Sequence, residues 1–193
     1  MPASGGAGRF YLCDTEIGFI GLLLSPRGLR ATTLPRPRRD QALCEVAEIG
    51  AGEPASEAEA GDLPRRLRAL AQGQPLDLTA DIDWDSLSPP EAASVPGFRR
   101  AVLEETLRIP AGRTRTYGWL AAKVGSPRAA RAVGRVMATN PLPLVIPCHR
   151  VVGSGGSLRG YGGGLPMKAA LLRMEGAEGV GVRHLAVGVP TGW

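Results

Sequence analysis

A chain of 193 residues, 44% of them hydrophobic, is long enough to bury one large core or two small ones. Its three cysteines, Cys13, Cys44 and Cys148, are scattered and odd in number, and it has only two histidines; these counts exclude a disulfide framework and a His/Cys zinc site. No apolar run approaches twenty residues and no charged-then-apolar leader is visible, so a soluble, unexported, cytoplasmic protein of a reducing compartment is expected.

The net charge of +5 conceals a division. Residues 1–96 carry nine basic and 14 acidic side chains, whereas residues 97–193 carry 14 basic and four acidic ones. A GC-rich genome would explain why 21 of the 23 basic residues are arginine, but not why acids vanish from one half. The asymmetry points the second half toward a polyanion, with nucleic acid the favoured class.

The first eight residues are small and are expected to be disordered. "RFYLCDTEIGFIGLLLSPRGLRATTL" reads as two or three short strands turning at Ser25-Pro26-Arg27-Gly28. "QALCEVAEIGA" has helical spacing, "GEPASEAEAGD" reads as a polar loop, and "LPRRLRALAQGQ" as an amphipathic helix ending near Gly73. Residues 75–96, rich in Asp, Ser and Pro, read as a linker, so the domain boundary is placed there, giving domains 1–96 and 97–193.

Beyond the linker the pattern turns helical. "GFRRAVLEETLRI" aligns Phe98, Val102, Leu103 and Leu107 on one face, closed by Pro110. "TYGWLAAKVG" follows, with Thr116 as cap and Gly125 as stop, and then "PRAARAVGRVM", with Ser126 at the N-cap and Pro127 at the first helical position. Two short helices across a tight turn make a helix-turn-helix. Its second helix presents Arg128, Arg131 and Arg135 among Ala129, Ala130, Ala132 and Gly134, a low surface that can press against a phosphate backbone.

"LPLVIPCHRVVGSGG" gathers the reactive groups. The apolar run reads as a buried strand delivering Cys148, with Pro147 fixing the backbone before it. Cys13 and Cys44 read as small core residues. A thiol becomes a nucleophile when a base or cation lowers its pKa, and His149 and Arg150 adjoin Cys148. Neighbours on a strand point apart, so His149 would reach the thiol through a bridging water, with Glu175 of "LLRMEG" behind the imidazole. "GSGGSLRGYGGG" reads either as a linker or as a pocket wall whose backbone can approach a flat ligand. Trp84, Trp119 and Trp193 read as packing groups, and His184 is given no role.

The stretch "RTYGWLAAKVGSPRAARAVGRVMATNPLPLVIPCHRVVGSGGSLRGYGGGLPMKAALLRMEG" resembles the signature region of the O6-alkylguanine-DNA alkyltransferases, over about residues 96–176. The resemblance implies a two-domain α/β fold, with an RNase H-like N-terminal domain and a mostly helical, winged-helix-like C-terminal domain. It also implies repair of alkylated double-stranded DNA in which Cys148 takes the alkyl group from O6-alkylguanine, or O4-alkylthymine, irreversibly and once. His149 would receive the thiol proton through water, Glu175 would orient the imidazole, and Asn140 would brace the turn. Tyr117 would crowd the target phosphate and donate a proton to the leaving base. Arg131 would enter the base stack, with Arg128, Arg135, Ala130 and Gly134 around it on the DNA side. Tyr161, Gly162, Lys168, Val151 and Met137 would form the base pocket. No cofactor, no metal, no membrane and a monomer are implied.

Three positions depart from the family pattern. Gly162 stands where a serine is common, and Arg99 and Leu103 stand where a glutamine and a tryptophan are common; the latter two are expected to alter packing rather than chemistry. Three other readings remain beside the alkyltransferase: a lesion-binding relative without transfer, against which the intact Cys148 weighs; a Cys-His hydrolase; and a major-groove transcription factor.

Overall fold

In the computed structural model, which describes residues 8–50, 52–87 and 97–177, the first half is built on a four-stranded sheet. Strands β1 (Gly8–Thr15), β2 (Gly18–Ser25) and β3 (Gly28–Thr32) form an antiparallel meander. Ser25 pairs with Gly28, so Pro26-Arg27 is a two-residue hairpin turn, as the sequence predicts. Gly8 already lies inside β1 and is buried, so the disorder expected of the first eight residues does not extend to it. Residues 1–7 and 88–96, together with His184 and Trp193, fall outside the described residues.

Helix α1 (Arg39–Ile49) packs Ala42 and Val46 against the sheet. It leaves Cys44 exposed, contrary to the core placement expected, because Cys44 falls on the face opposite those two residues. Cys13, on β1, is fully buried as expected. The segment "GEPASEAEAGD" is not a plain loop. It holds β4 (Gly52–Pro54), parallel to β1, and a one-turn helix α2 (Glu57–Ala60). Ser56 and Glu59 close that turn as a reciprocal capping box. Helix α3 (Leu63–Ala71) buries Leu67 and Leu70 as its amphipathic spacing requires, and Gly73 ends it at φ 79°.

Residues 75–87 are not a free linker either. Two 3-10 turns (Thr79–Asp81 and Trp84–Leu87) bury Leu78, Ile82 and Leu87, and the Asp83 amide bonds the Leu29 carbonyl of β3 at 3.0 Å. Apolar residues every four or five positions dock this Asp-rich strip onto the sheet.

The second half is helical. Helix α4 (Phe98–Leu107) buries Val102 and Leu103, with Phe98 and Leu107 half-buried on the same side. A two-residue strand β5 (Arg115–Thr116) leads into α5 (Tyr117–Lys123), where Thr116 Oγ1 accepts from the Trp119 amide as the expected cap. Helix α6 (Ala130–Ala138) begins later than predicted. Ser126-Pro127-Arg128-Ala129 is a turn closed by the Ala129 amide on the Ser126 carbonyl at 2.8 Å, with Pro127 at its second position. Arg128 therefore stands on the turn and not on the helix.

The run Leu142–Ile146 is buried as predicted, but it is not a strand. Pro141, Pro143 and Pro147 have no amide to donate to a ladder, Leu144 sits at φ 72°, and the Ile146 amide returns to the Leu142 carbonyl at 2.7 Å. The chain coils there and enters a 3-10 turn at Cys148–Arg150, followed by β6 (Val151–Val152), which pairs with β5. Helix α7 (Gly164–Met174) closes the described part. One apolar core runs through both halves, taking in Trp84 and Trp119 at its margin. The protein is thus α/β in two parts: a sheet with its helices, and a helical part that carries the cysteine turn. Among the described residues no helix is long and apolar enough to cross a membrane.

Candidate active site

The 3-10 turn puts three consecutive side chains to three uses. Cys148 is 7% exposed and forms part of the wall of a cleft of about 280 Å³, lined also by Leu34, Tyr117, Gly134, Met137, Asn140, Tyr161 and Gly162. Hollows of about 630 and 480 Å³ lie elsewhere, but neither is lined by a cysteine.

His149, 1% exposed, points away from the cleft and places Nε2 2.9 Å from Glu175 Oε1. Burial pulls its pKa below the ordinary 6.5 against the opposing pull of Glu175, so the ring is neutral near pH 7. With an ionised carboxylate as its partner, Nε2 must carry the proton. Nδ1, buried and without a protein hydrogen bond, then holds a free lone pair. That is the protonation state of a general base.

Glu175 sits just past the C-terminus of α7, its side chain 5% exposed. Burial resists its ionisation, but hydrogen bonds from His149 and Arg150 outweigh burial and hold the carboxyl at about 2. Arg150 corrects the sequence reading. It does not serve the thiol: Nε and Nη2 bond the two oxygens of Glu175 at 2.9 and 2.7 Å, and Nη1 donates to the Ile109 carbonyl at 2.6 Å. In a turn, residue 150 follows Glu175 around the same side as His149, which an extended strand would not allow.

Burial pushes the Cys148 thiol up; the Asn140 side chain and the Lys168 ammonium oppose it. Asn140 also binds the coiled run at both ends, donating to the Ile146 carbonyl at 2.8 Å and accepting from the Leu142 amide at 3.1 Å. Lys168 is fully buried behind Tyr161, its Nζ on the Val151 carbonyl at 2.6 Å, and burial lowers its pKa to about 8. Tyr161 and Tyr117 flank the sulfur, both raised by burial, Tyr161 the more.

The structure thus brings Tyr117, Met137, Asn140, Tyr161 and Gly162 to the cysteine cleft, and His149, Glu175 and Lys168 behind it. Val151 is fully buried and stands off the cleft wall. Gly134, on α6, joins that helix to the cleft, while Arg128, Arg131 and Arg135 are exposed outside it and make no ion pair among the described residues. Ala130 is half-buried. Sequence reasoning missed Leu34 and the Arg150 clamp. The scarcity of acids around Glu175 was the one available signal for the clamp; nothing local marked Leu34. Among the described residues no group of three or more His, Cys, Asp or Glu side chains converges to hold a metal.

Residues 97–177 match the family described as 6-O-methylguanine DNA methyltransferase, DNA binding domain. The chain is 51% identical over 78 residues to a methylated-DNA–protein-cysteine methyltransferase of Mycobacterium leprae, covering 40% of this chain and 47% of that protein. It is 51% identical over 79 residues to one of Salmonella typhimurium, covering 41% and 46%. These alignments span about half the length of the curated relatives. Structural similarity reaches further. The O6-methylguanine methyltransferase of Mycobacterium tuberculosis aligns over 88% of this chain and 93% of its own at a TM-score of 0.67 and 31% identity. That organism's OGT in complex with DNA aligns over 91% and 97%, at the same score and identity. Likeness at this level across nearly a whole relative places the chain in the O6-methylguanine-DNA methyltransferase family.

Proposed function

We propose that the chain repairs DNA by direct reversal, moving the alkyl group of O6-alkylguanine, and in a wider substrate range O4-alkylthymine, irreversibly onto Cys148. The observation that carries this reading is the arrangement around the sulfur: a half-open cleft on one side and a neutral imidazole, held by Glu175, on the other. A water between the thiol and His149 Nδ1 would pass the proton on. The thiolate then bonds to the alkyl carbon as the carbon–O6 bond breaks, and its electron pair leaves with O6. Tyr117 donates a proton to the departing guanine and recovers one from the His149 imidazolium through solvent, so that overall the thiol proton takes the place of the alkyl group. The thioether is stable, which makes the reaction single-turnover.

An O6-alkyl group lies inside the duplex, and extruding its base costs a few kcal/mol. The reading assigns the offset to α5 and α6 as a helix-turn-helix of winged-helix type. Arg131 would fill the vacated stack, Ala130 and Gly134 would allow close approach, and Arg128 and Arg135 would bind phosphates. It further assigns an RNase H-like form to residues 1–96, the DNA-binding and acceptor domain to residues 97–193, double-stranded DNA as partner, and action as a monomer in the cytoplasm. The three unpaired exposed arginines around α6 and the excess of basic over acidic residues in the second half support the DNA side.

The test is intact-mass measurement after incubation with an O6-methylguanine duplex, followed by peptide mapping. One methyl per molecule on the Cys148 peptide is expected. Tight lesion-dependent binding without an adduct would instead make the chain a damage sensor.

A further inference from the structure

Leu34 comes from the first half of the chain, yet it lines the cysteine cleft. Its position is fixed from both sides. The Thr33 amide donates to the Gly21 carbonyl at 2.9 Å, and Arg36 exchanges backbone bonds with Phe19 at 2.8 and 2.9 Å, so the segment continues the edge of β2. Thr32, 2% exposed, ties the same segment to the coiled run before Cys148. Its amide donates to the Pro141 carbonyl and its hydroxyl to the Pro143 carbonyl, both at 2.9 Å. The wall that carries Leu34 and the loop that carries the nucleophile are therefore locked together.

Gly162 lines the same cleft beside Leu34. A Cβ built there would meet Leu34 Cδ1 at 3.3 Å, a tight contact that Leu34 must relieve by giving way slightly. Leu34 thus borders the space that a side chain at 162 would enter, and the two would have to be accommodated together. From this we infer that Leu34 and Gly162 together set the width of the cleft, and that Leu34 determines which alkyl groups reach Cys148. The inference rests on the alkyl-transfer reading. One extra or missing methylene on a substrate changes selectivity by roughly 10- to 200-fold in a hydrophobic site. The effect here should fall at the low end, because the cleft is partly open to solvent.

The experiment compares transfer rates from free O6-benzylguanine and from an O6-methylguanine duplex, read as adduct mass on Cys148, with melting curves to establish folding. Leu34→Ala should raise the benzyl-to-methyl rate ratio about tenfold, and Leu34→Phe should lower it. Gly162→Ser should slow transfer from both substrates, and adding Leu34→Ala should restore it. A ratio that both Leu34 variants leave within twofold of wild type, or a Gly162→Ser defect that Leu34→Ala does not relieve, would overturn the inference while leaving the transfer reading standing. A wild-type chain that accepts neither alkyl group would overturn both.

Discussion

Arg150 grips Glu175 side-on, through parallel bonds of 2.9 Å from Nε to Oε2 and 2.7 Å from Nη2 to Oε1. The two side chains are 9% and 5% exposed. A fork of this kind fixes the plane of the carboxylate, and through Oε1 it fixes the imidazole of His149. Lysine supplies charge without the fork. Arg150→Lys should therefore cost about 1 to 3 kcal/mol of unfolding free energy, since the ammonium cannot reproduce the fork to Glu175 together with the bond to the Ile109 carbonyl, and buried acceptors lose their partners. It should also slow Cys148 alkylation by roughly tenfold through a poorly oriented base. Denaturant titration and adduct-mass kinetics on the same preparation measure the two effects; a variant with wild-type alkylation kinetics would deny Arg150 its positioning role.

The same pair gives stability a dependence on acid pH. The folded-state pKa of Glu175, about 2, lies below its ordinary 4.5. A depressed carboxyl stabilises the native state fully above the unfolded value and loses that contribution as pH falls toward the folded one. The window is thus between about pH 4.5 and 2, and the contribution is on the order of 3 kcal/mol. Glu175→Gln should be less stable than wild type at pH 7, and the gap should close across that window. Stability measured in steps from pH 6 to pH 2.5 checks this, and a gap independent of pH would place the stabilisation elsewhere.

Thr32 offers a test of how the two halves cooperate. Its buried hydroxyl donates to Pro143, while its amide holds Pro141. Thr32→Val keeps the shape and the amide bond, but strands the Pro143 carbonyl. A loss of about 1 to 3 kcal/mol is expected. Slower alkylation should accompany it, because Pro143 lines the cleft. Urea titration and transfer rates, measured together, separate a purely structural effect from one on the site.

What the sequence made legible was pattern. The spacing of Leu67 and Leu70 gave α3, the run Leu142–Ile146 gave burial, and Thr116 gave the cap of α5. Conformation within the apolar run was not legible, because periodicity cannot separate a strand from a coil when every residue is buried. Three prolines were the cue, and their missing donors decided the outcome. Ser126-Pro127 resembled a helix start because both residues suit the first positions of a helix and of a turn alike. Long-range pairings were hidden for a different reason. Leu34 meets Gly162, and Thr32 meets Pro143, across more than a hundred residues, and no local signal records such a meeting.

Arg131 is exposed on α6, and the role proposed for it, filling the vacated stack, requires a duplex. Arg131→Ala should slow transfer from duplex O6-methylguanine far more than from free O6-benzylguanine, which needs no extrusion. Cys148→Ala should abolish transfer and leave duplex binding intact. Paired rate measurements on the two substrates decide the first point, and equal losses on both would remove Arg131 from the extrusion step.

Lys168, like Glu175, has a depressed pKa and makes stability rise with pH, but here because burial penalises its charged form. The ammonium is fully buried on the Val151 carbonyl, and burial brings its pKa from the ordinary 10.5 to about 8. Below pH 8 the folded protein bears the whole cost of a buried cation. Between about pH 8 and 10.5 the unfolded chain binds more protons at this site than the folded one, so its contribution to stability rises with pH. Lys168→Met removes that dependence. The difference in unfolding free energy between wild type and variant should move in favour of wild type by up to about 3 kcal/mol across the window. Taking the difference cancels the Cys13 thiol, whose raised pKa acts the other way in the same range, whereas the Cys148 thiol, which Lys168 pulls down, adds its own change. A second readout follows from the sulfur: Lys168 favours the thiolate, so the variant's alkylation by a small haloalkane should need a higher pH. Stability curves that stay parallel from pH 8 to 10.5 would mean that the folded protein keeps the proton on Lys168 through that range, and burial would then not lower its pKa.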